Sequence, residues 1–335
     1  MKQQPNIIAE VAQSHDGSLG FAHAFIDLAK DCGASAVKFQ THIASEESSE
    51  FEPWRTKFSY KDESRFEYWK RMEFSQDEWA GLKNHCDSIG ITFVSSPFSV
   101  AAVDLLESIG TQSYKIASGE LSNLPMLERI NQTRKDVLIS SGMSNFQEID
   151  DVVKLFETKQ ISVFQCTSKY PVSDEEIGLN VMTDMIERYP AYSCGLSDHS
   201  GNVFAPLAAL ALGAQCLEIH LTFHKNAFGP DVPASLDPEQ FMIVTEGANR
   251  IPKMTQTQVD KDSSPEEFQE MRSIFMKSVY FRRDMTAGTV LAMDDLKILK
   301  PTAEIPASQT ESVIGRRLKT DSKANRPVKW EMLDD

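Results

Sequence analysis

Short apolar segments alternate with stretches of helical periodicity eight times in the first three-quarters of the chain. These segments are nearly continuous in hydrophobicity, which is typical of parallel strands buried on both faces. They span residues 7–11, 36–40, 91–95, 114–117, 137–140, 163–166, 192–196 and 217–221. After the first segment, Phe21, Phe25 and Leu28 fall on one helical face. Eight such strand–helix units predict an α/β fold, a closed (β/α)8 TIM barrel.

Two stretches interrupt this alternation and predict the domain organisation. A polar and aromatic insertion, residues 45–74, follows the second segment, and its many aromatic side chains predict an ordered lid or interface segment. A stretch rich in Gln, Asp and Ser predicts a linker at 255–270. We therefore expect the barrel to occupy residues 1–254 and a small, mostly β domain to occupy residues 271–335.

Charge and composition limit the partners. The chain carries 34 Lys and Arg against 49 Asp and Glu, a formal net charge of −15, which disfavours nucleic acid and anionic membranes. No apolar run approaches the roughly 20 residues of a bilayer span, and the start lacks a signal-peptide pattern. A cytoplasmic location is therefore expected. The five cysteines are scattered without a CxxC motif, which favours reduced, structural thiols.

Two histidines stand near the carboxyl ends of the last two predicted strands, His199 in the segment GLSDHSG and His220 in the segment EIHLT. The carboxyl ends of parallel strands meet at one end of a barrel. Two imidazoles facing one pocket, with carboxylates nearby, therefore predict a divalent-metal site. A single strand-end histidine is more often structural, so the prediction depends on the pair. The histidines without such a context, expected at surface or packing positions, are His23, His42, His85 and His224.

Other charged side chains belong to the same predicted strands or follow them closely. Lys38 and Lys115, with several neighbouring hydroxyls, are suited to hold a phosphate by charge-assisted hydrogen bonds. Taken singly, either lysine is equally consistent with a structural pair to a barrel glutamate. Glu10, Glu120 and Glu218 are suited to acid–base chemistry or to orienting metal ligands. Glu120 also fits the alternative of a charge at a helix N-terminus.

Six segments in order resemble the sialic acid (N-acetylneuraminate) synthase family. They are IAE at 8–10, AVKFQT at 36–41, YKIASGEL at 114–121, CTSKYP at 166–171, GLSDH at 195–199 and GPD at 229–231 with SL at 235–236. DMTAG at 284–288 resembles a turn of that family's C-terminal antifreeze-like (SAF) domain. The resemblance implies condensation of phosphoenolpyruvate with an open-chain N-acetylated aminosugar, such as N-acetylmannosamine, to a nine-carbon nonulosonic acid with release of phosphate.

The resemblance also implies roles for the matching residues. His199 and His220 would bind a divalent metal, Mn²⁺ foremost with Mg²⁺ or Co²⁺ as alternatives, and Glu10 and Glu120 would act in catalysis. The implied phosphoenolpyruvate contacts are Lys38, Gln40, Ser96, Lys115, Ser118, Ser168 and Ser197. The implied sugar contacts are Tyr170, Glu218, Asp231 and Lys300 of the partner subunit. The last of these follows because members of the family form domain-swapped homodimers.

Several positions depart from the family pattern. Asp16, Val232 and Lys300 replace residues on the sugar side or rim, whereas Ser96 and Ser168 are departures on the phosphoenolpyruvate side. Lysine at position 300 cannot reproduce the planar, two-pronged donor of the arginine usual there. We therefore expect the reaction class to be kept, while the identity of the sugar stays open.

Three alternatives remain at this stage. The same chemistry on a different hexosamine would give a legionaminic or pseudaminic acid. A Schiff-base aldolase would use Lys38 or Lys115 as a covalent amine. A non-catalytic sugar-binding or regulatory protein would keep the fold, although the intact histidines, lysines and glutamates disfavour lost catalysis.

Overall fold

The computed structural model describes residues 4–156, 160–262 and 266–334. Eight parallel strands form a closed barrel in sequential order, so the predicted TIM barrel is confirmed. The strands are β1 Asn6–Ala12, β2 Ala36–Thr41, β3 Thr92–Pro97, β4 Ser113–Ile116, β5 Asp136–Ser140, β6 Ile161–Cys166, β7 Ser193–Asp198 and β8 Cys216–His220. Each overlaps its predicted segment, with ends that differ by at most two residues.

Helices follow the strands, and those outside the insertion pack around the barrel. They are α1 Leu19–Asp31, α2 Ala44–Glu47, α3 Arg65–Met72, α4 Gln76–Ile89, α5 Val100–Ser108, α6 Leu124–Thr133, α7 Phe146–Leu155, α8 Leu179–Arg188, α9 Phe204–Ala211 and α10 Pro238–Gln256. Helix α4 begins at a capping box, in which Ser75 and Glu78 satisfy each other's backbone N–H groups. Its buried face adds Trp79 and Leu82 to the main hydrophobic core.

Successive side chains of a strand point to opposite faces of the sheet, so every second residue of each barrel strand faces the barrel interior. Residues such as Ala9, Val37 and Ile219 belong to the main core beneath the helices. A separate apolar cluster comes from the opposite parity: Ile8, Ala36, Val94, Phe164 and Cys216. Two residues further along the same strands stand Glu10, Lys38, Ser96, Cys166 and Glu218. The inner face therefore changes from apolar to charged towards the carboxyl ends.

The insertion after β2 is an ordered part of the barrel unit and contains α2 and α3. Trp54, Phe58 and Tyr68 pack against one another, with ring centroids 5.1–5.8 Å apart. Arg71 ties the segment together, since its Nη2 lies 2.7 Å from Asp62 Oδ2 and its Nη1 2.8 Å from Asp16 Oδ1. The guanidinium thus links α3 to the loop that follows β1.

A second compact unit comprises Gln258–Asp335. Strands β9 (Ser278–Phe281) and β10 (Leu296–Leu299) pair antiparallel, and isolated bridges join further extended segments. Its own core includes Val279, Phe281 and Leu291. The predicted small, mostly β domain is confirmed.

The linker predicted at 255–270 differs from the structure at both ends. Helix α10 runs to Gln256, and α11 (Glu266–Phe275) begins inside the predicted linker. The Gln-, Asp- and Ser-rich composition suggested an irregular segment, but Phe268, Met271 and Phe275 are spaced at helical intervals. Periodicity therefore outweighs composition in the second half of this stretch.

Two further predictions concern the membrane and the thiols. Among the described helices, none combines the length and the apolar character needed to cross a bilayer. All five cysteines are free and buried, as expected for reduced, structural thiols.

Close packing between β7 and β8 yields a testable prediction. A Cβ added at Gly195 would lie 1.7 Å from the carbonyl oxygen of Cys216. We expect Gly195→Ala to lower the free energy of unfolding by roughly 3 kcal/mol or more, because backbone must move. Gly81→Ala is the matched control, since a Cβ at this position on α4 meets nothing within 4 Å. The free energy of unfolding of both variants is measured by urea denaturation. Equal values for Gly195→Ala and Gly81→Ala would contradict the prediction.

The Asp62–Arg71 pair predicts a pH dependence of the insertion. Hydrogen bonds from Arg71 lower the pKa of Asp62 below its ordinary value, so the pair stabilises the segment above that ordinary value. The stabilisation is lost as the pH falls through the lowered pKa. We expect limited proteolysis of the wild-type insertion to accelerate in that acidic window. The Asp62→Asn variant should be cleaved faster than the wild-type protein at neutral pH, and its cleavage rate should depend less on pH. If the cleavage rates of the two proteins changed with pH in parallel, the assignment would be refuted.

Candidate active site

Four charged side chains meet inside the barrel near the carboxyl ends of its strands, and we call Glu10, Lys38, Lys115 and Glu218 the charged quartet. Lys38 Nζ lies 2.8 Å from Glu10 Oε2 and 3.8 Å from Glu218 Oε1. Lys115 Nζ lies 2.6 Å from Glu218 Oε2. All four are almost fully buried. Each lysine therefore has the glutamate partner of the structural alternative while also lining the cavity.

The pKa shifts show how the charged quartet is balanced. Burial opposes ionisation of Glu218, but Lys115 and Lys38 more than compensate and lower its pKa to about 2. Burial raises the pKa of Glu10 despite the attraction of Lys38. Burial likewise opposes the charge on Lys38, yet Glu10 and Glu218 raise its pKa. Glu218 therefore holds a firm negative charge, and Glu10 is the more readily protonated of the two glutamates.

Hydroxyl groups surround the charged quartet. Lys38 donates to Ser96 Oγ at 3.3 Å, and Ser197 donates to Glu218 Oε1 at 3.0 Å. Ser118 and Ser168 flank Gly142, where an added Cβ would lie 2.6 and 2.4 Å from their Oγ atoms. The glycine thus leaves room for two hydroxyls at the side of the cavity.

The two predicted metal-binding histidines lie side by side. The rings of His199 and His220 have centroids 5.3 Å apart, and Tyr170 stacks on His199 at 4.0 Å. His199 Nδ1 lies 2.8 Å from the carbonyl oxygen of Thr167, so it donates there and Nε2 is the ring nitrogen left for a ligand. Burial and the neighbouring His199 push the pKa of His220 well below its ordinary value. His220 is therefore a neutral imidazole.

These two rings fit part of a metal site. A histidine held through one ring nitrogen by a backbone carbonyl is the usual arrangement of a ligand, and His220 Nδ1 is buried without a hydrogen-bond partner among the described residues. Burial lowers the pKa of His199, but Cys166 and the Thr167 carbonyl leave it raised, so an incoming cation would displace a proton. Over the described ranges, no group of three or more His, Cys, Asp or Glu is arranged to hold an ion. A metal here would take two imidazoles and leave its other positions to water or substrate.

A chain of hydrogen bonds leads from the charged quartet to the insertion. Gln40 donates to Glu10 Oε1 at 2.7 Å, and Gln13 donates to Gln40 Oε1 at 2.5 Å. Gln13 Nε2 also lies 2.8 Å from His42 Nε2, and His42 Nδ1 lies 2.6 Å from Glu47. Glu10 is thereby held in place by Gln40 of β2 and, through it, by residues that follow β1 and β2.

His42 was expected at a surface or packing position, and it is buried and stacked between Trp69 and Phe98 at centroid distances of 4.2 and 4.6 Å. It also lines the cavity, which was not predicted. The sequence signal was available, because His42 directly follows Thr41 at the end of β2. Of the other histidines in that group, His23 and His85 contact each other outside the cavity, with Nδ1 atoms 3.0 Å apart.

One cavity of about 710 Å³ collects every site residue predicted within the barrel. These are Glu10, Lys38, Gln40, Ser96, Lys115, Ser118, Glu120, Ser168, Tyr170, Ser197, His199, Glu218, His220 and Asp231. Glu218, predicted as a sugar contact, is paired with the two lysines. Asn123 donates to Glu120 at 2.8 Å, and burial raises the pKa of this carboxyl. Lys300 belongs to the second unit, where its ammonium lies 4.9 Å from the ring centroid of Phe275.

Sequence reasoning missed several lining residues. They are Gln13, His42, Glu46, Glu47, Glu52, Trp54, Arg55, Arg65 and Trp69. Most belong to the insertion, whose aromatic content indicated order but whose individual side chains carried no motif. Asp231 lies 3.6 Å from Arg55, and the Arg55 guanidinium lies 4.4 Å from the centroid of the Tyr170 ring.

Known proteins resemble this chain in both sequence and structure. The chain matches the NeuB family over residues 25–260 and the SAF domain over residues 277–334. It is 32% identical over 318 residues to the N,N'-diacetyllegionaminic acid synthase of Campylobacter jejuni, covering 92% of this chain and 94% of that protein. It is 29% identical over 339 residues to human N-acetylneuraminate-9-phosphate synthase, covering 98% and 92%. The structure of an N-acetylneuraminic acid synthetase from Leptospira borgpetersenii, in complex with citrate, aligns with a TM-score of 0.69 at 27% identity, covering 80% of this chain and 90% of that one.

A closed parallel barrel with charged groups and histidines at its carboxyl ends, joined in sequence to a small β unit, defines a two-domain barrel enzyme. Because the family match spans most of the barrel and the relatives align along nearly the whole chain, the chain belongs to the NeuB family and carries a C-terminal SAF domain. The resemblance drawn from the six sequence segments is confirmed.

Pairing within the charged quartet predicts a large effect on stability. Glu218→Gln leaves Lys115 without its carboxylate partner, and we expect the free energy of unfolding to fall by about 3–5 kcal/mol. Adding Lys115→Met removes the orphaned charge and should recover most of the loss. Urea unfolding of the two variants checks this. A double variant no more stable than Glu218→Gln would show that the ion pair does not govern stability here.

Proposed function

We propose that this protein is a nonulosonic acid synthase that condenses phosphoenolpyruvate with an open-chain, N-acylated hexosamine. In this reaction C3 of phosphoenolpyruvate forms a bond to the aldehyde carbon of the sugar, and water adds at C2. The bond between C2 and the bridging oxygen breaks, so inorganic phosphate leaves with that oxygen. The relatives named as sialic and legionaminic acid synthases support this activity.

The charged quartet is the observation that carries the proposal. Lys38 and Lys115 are buried cations at the bottom of a polar cavity, and Ser96, Ser118 and Ser197 line the same cavity. Ammonium groups and hydroxyls together bind phosphate and carboxylate oxygens well in a site of low dielectric constant. In a protein of net charge −15, a trianionic substrate must be held by such local hydrogen-bond donors against an unfavourable overall field.

The chain's own residues would divide the remaining work. Glu10 is held by Lys38 and Gln40, which suits it to take or return a proton at the attacking water or to stabilise positive charge developing at C2. Glu120 lies at the edge of the cavity and is a second candidate for proton transfer. His199 and His220 would hold a divalent ion, Mn²⁺ in our proposal. When bound, such an ion polarises the aldehyde oxygen.

The acceptor sugar and the assembly are the finer parts of the proposal. Tyr170 and Asp231 would contact the sugar, and the different products named for the relatives leave room for the hexosamine precursor of a sialic, legionaminic or pseudaminic acid. We also propose a homodimer in which Lys300 of the partner subunit completes the sugar site, working in the cytoplasm. Size-exclusion chromatography with light scattering tests the dimer.

Phosphate release tests the activity. The purified protein with phosphoenolpyruvate and Mn²⁺ is incubated with a panel of N-acylated hexosamines, and release is expected with at least one sugar and only in its presence. No release with any sugar would refute the proposal. A covalent lysine mechanism would instead give a borohydride-trapped adduct and full activity in chelator.

The metal-site assignment predicts the behaviour of one variant. His220→Ala should lose at least about 100-fold in kcat and most of the bound Mn²⁺, because one of only two imidazole ligands is removed. His224→Ala is the matched control, since His224 lies outside the cavity lining among the described residues. Metal content after dialysis and phosphate release are both measured. Wild-type Mn²⁺ retention in His220→Ala would rule out the assignment.

A further inference from the structure

We propose that Arg55, supplied by the insertion of the same chain, recognises the acyl oxygen of the acceptor's N-acyl group and so selects an acylated, unphosphorylated sugar. This inference rests on the proposed function. It assigns a role to a residue outside every motif that links the chain to its family.

The position of Arg55 is the first observation. Its guanidinium carbon lies 4.4 Å from the centroid of the Tyr170 ring, and Tyr170 stacks on His199 at 4.0 Å. Arg55 is thus one aromatic ring away from the predicted metal ligands. A group that binds there approaches the side of the cavity on which the aldehyde would react.

The donors of Arg55 are largely unused. A guanidinium has five N–H donors, and within the described part of the chain Arg55 contacts one carboxylate, Asp231, at 3.6 Å. That separation is longer than a well-formed hydrogen bond. The side chain is 50% exposed, whereas that of Asp231 is 10% exposed. Contacts with Asp231 and Tyr170 therefore orient Arg55, while most of its N–H groups remain available to a ligand.

The neighbouring wall is aromatic. Trp54 and Phe58 line the same cavity, and Trp54 packs against Phe58 and Tyr68. The indole N–H of Trp54 is buried and has no hydrogen-bond partner among the described residues. Cationic and neutral N–H donors beside an apolar wall match an acylamino group, which joins a strong acceptor oxygen to a methyl group. A simple hydroxyl would leave the apolar wall without a partner.

Charge decides between an acyl oxygen and a sugar phosphate. Outside the charged quartet, the carboxylates that line the cavity are Glu46, Glu47, Glu52, Glu120 and Asp231, and the cations are Arg55 and Arg65. Arg65 is already paired with Glu52 at 2.8 Å. With five carboxylates against two guanidinium groups, this part of the lining carries a formal net charge of −3. A phosphate dianion would be repelled, whereas a neutral amide is not.

The test compares two acceptors in steady-state phosphate release. One is the N-acylated hexosamine that the wild-type protein uses best, and the other is its counterpart with a hydroxyl in place of the acylamino group. We expect Arg55→Ala to raise KM for the acylated sugar roughly tenfold or more, as for loss of a hydrogen bond to a charged group. KM for phosphoenolpyruvate and the use of the hydroxyl counterpart should change little.

Three further measurements sharpen the outcome. Arg55→Lys should not restore the KM, because an ammonium presents no planar fork. Lys57→Ala, an exposed cation two residues away in the same segment, should behave as wild type. Equilibrium titration of the acylated sugar should give the same loss of affinity in Arg55→Ala without turnover.

Several results would overturn the inference. In Arg55→Ala, these are a rise in KM for phosphoenolpyruvate instead of the sugar, or an equal rise in KM for both sugars. Full rescue of the KM by Arg55→Lys would also overturn it, as would a preference of the wild-type protein for a 6-phosphorylated sugar over the free one. Failure of the wild-type protein to release phosphate with any sugar is a different result, since it refutes the proposed function itself. In that case, equilibrium titration of the acylated sugar into the wild-type protein and Arg55→Ala still tests whether Arg55 binds the sugar.

Discussion

Two lysines and two glutamates share the water-poor interior of the barrel, and their mutual pairing is the constraint on which the active site depends. An isolated charge in such a place costs several kcal/mol, so neither ammonium group would remain there without a carboxylate beside it. The charged quartet satisfies this with two charges of each sign and with contacts of 2.6 and 2.8 Å. Register is part of the constraint, because a slip of one residue would turn each charge into the apolar layer beneath the helices.

This arrangement connects stability with chemistry. Pairing with glutamates keeps Lys38 and Lys115 charged and fixed before any substrate arrives, so that an anion meets donors that need little reorganisation. The apolar cluster around Ile8 and Phe164 closes the barrel below the charged quartet. The histidines stand above it, near Tyr170. The depth of the cavity thus follows the order of residues along each strand, and the insertion contributes much of the rim.

How much could be predicted depended on whether a residue belongs to a regular element. The eight strands were predicted because buried parallel strands are continuous in hydrophobicity, and their ends then located Glu10, Lys38, Lys115 and His220. The place of His42 at the cavity wall was not predicted, because its neighbours Trp69 and Phe98 come from distant segments. Arg55 was missed because an irregular segment has no periodicity from which to infer direction. Helix α11 within the predicted linker was not foreseen, because composition was weighed above the helical spacing of its apolar residues.

The sequence by itself determined the barrel, its small β companion, the family and the set of chemical groups at the strand ends, since these depend on local periodicity and short motifs. Only the tertiary structure decided which groups meet. It paired Glu218 with Lys115, joined Glu10 to Gln40 and Gln13, and brought Arg55 against Tyr170 and Asp231. The physical reason is that pairing depends on distance in space, and residues as far apart in the chain as Lys115 and Glu218 become neighbours only when the barrel closes.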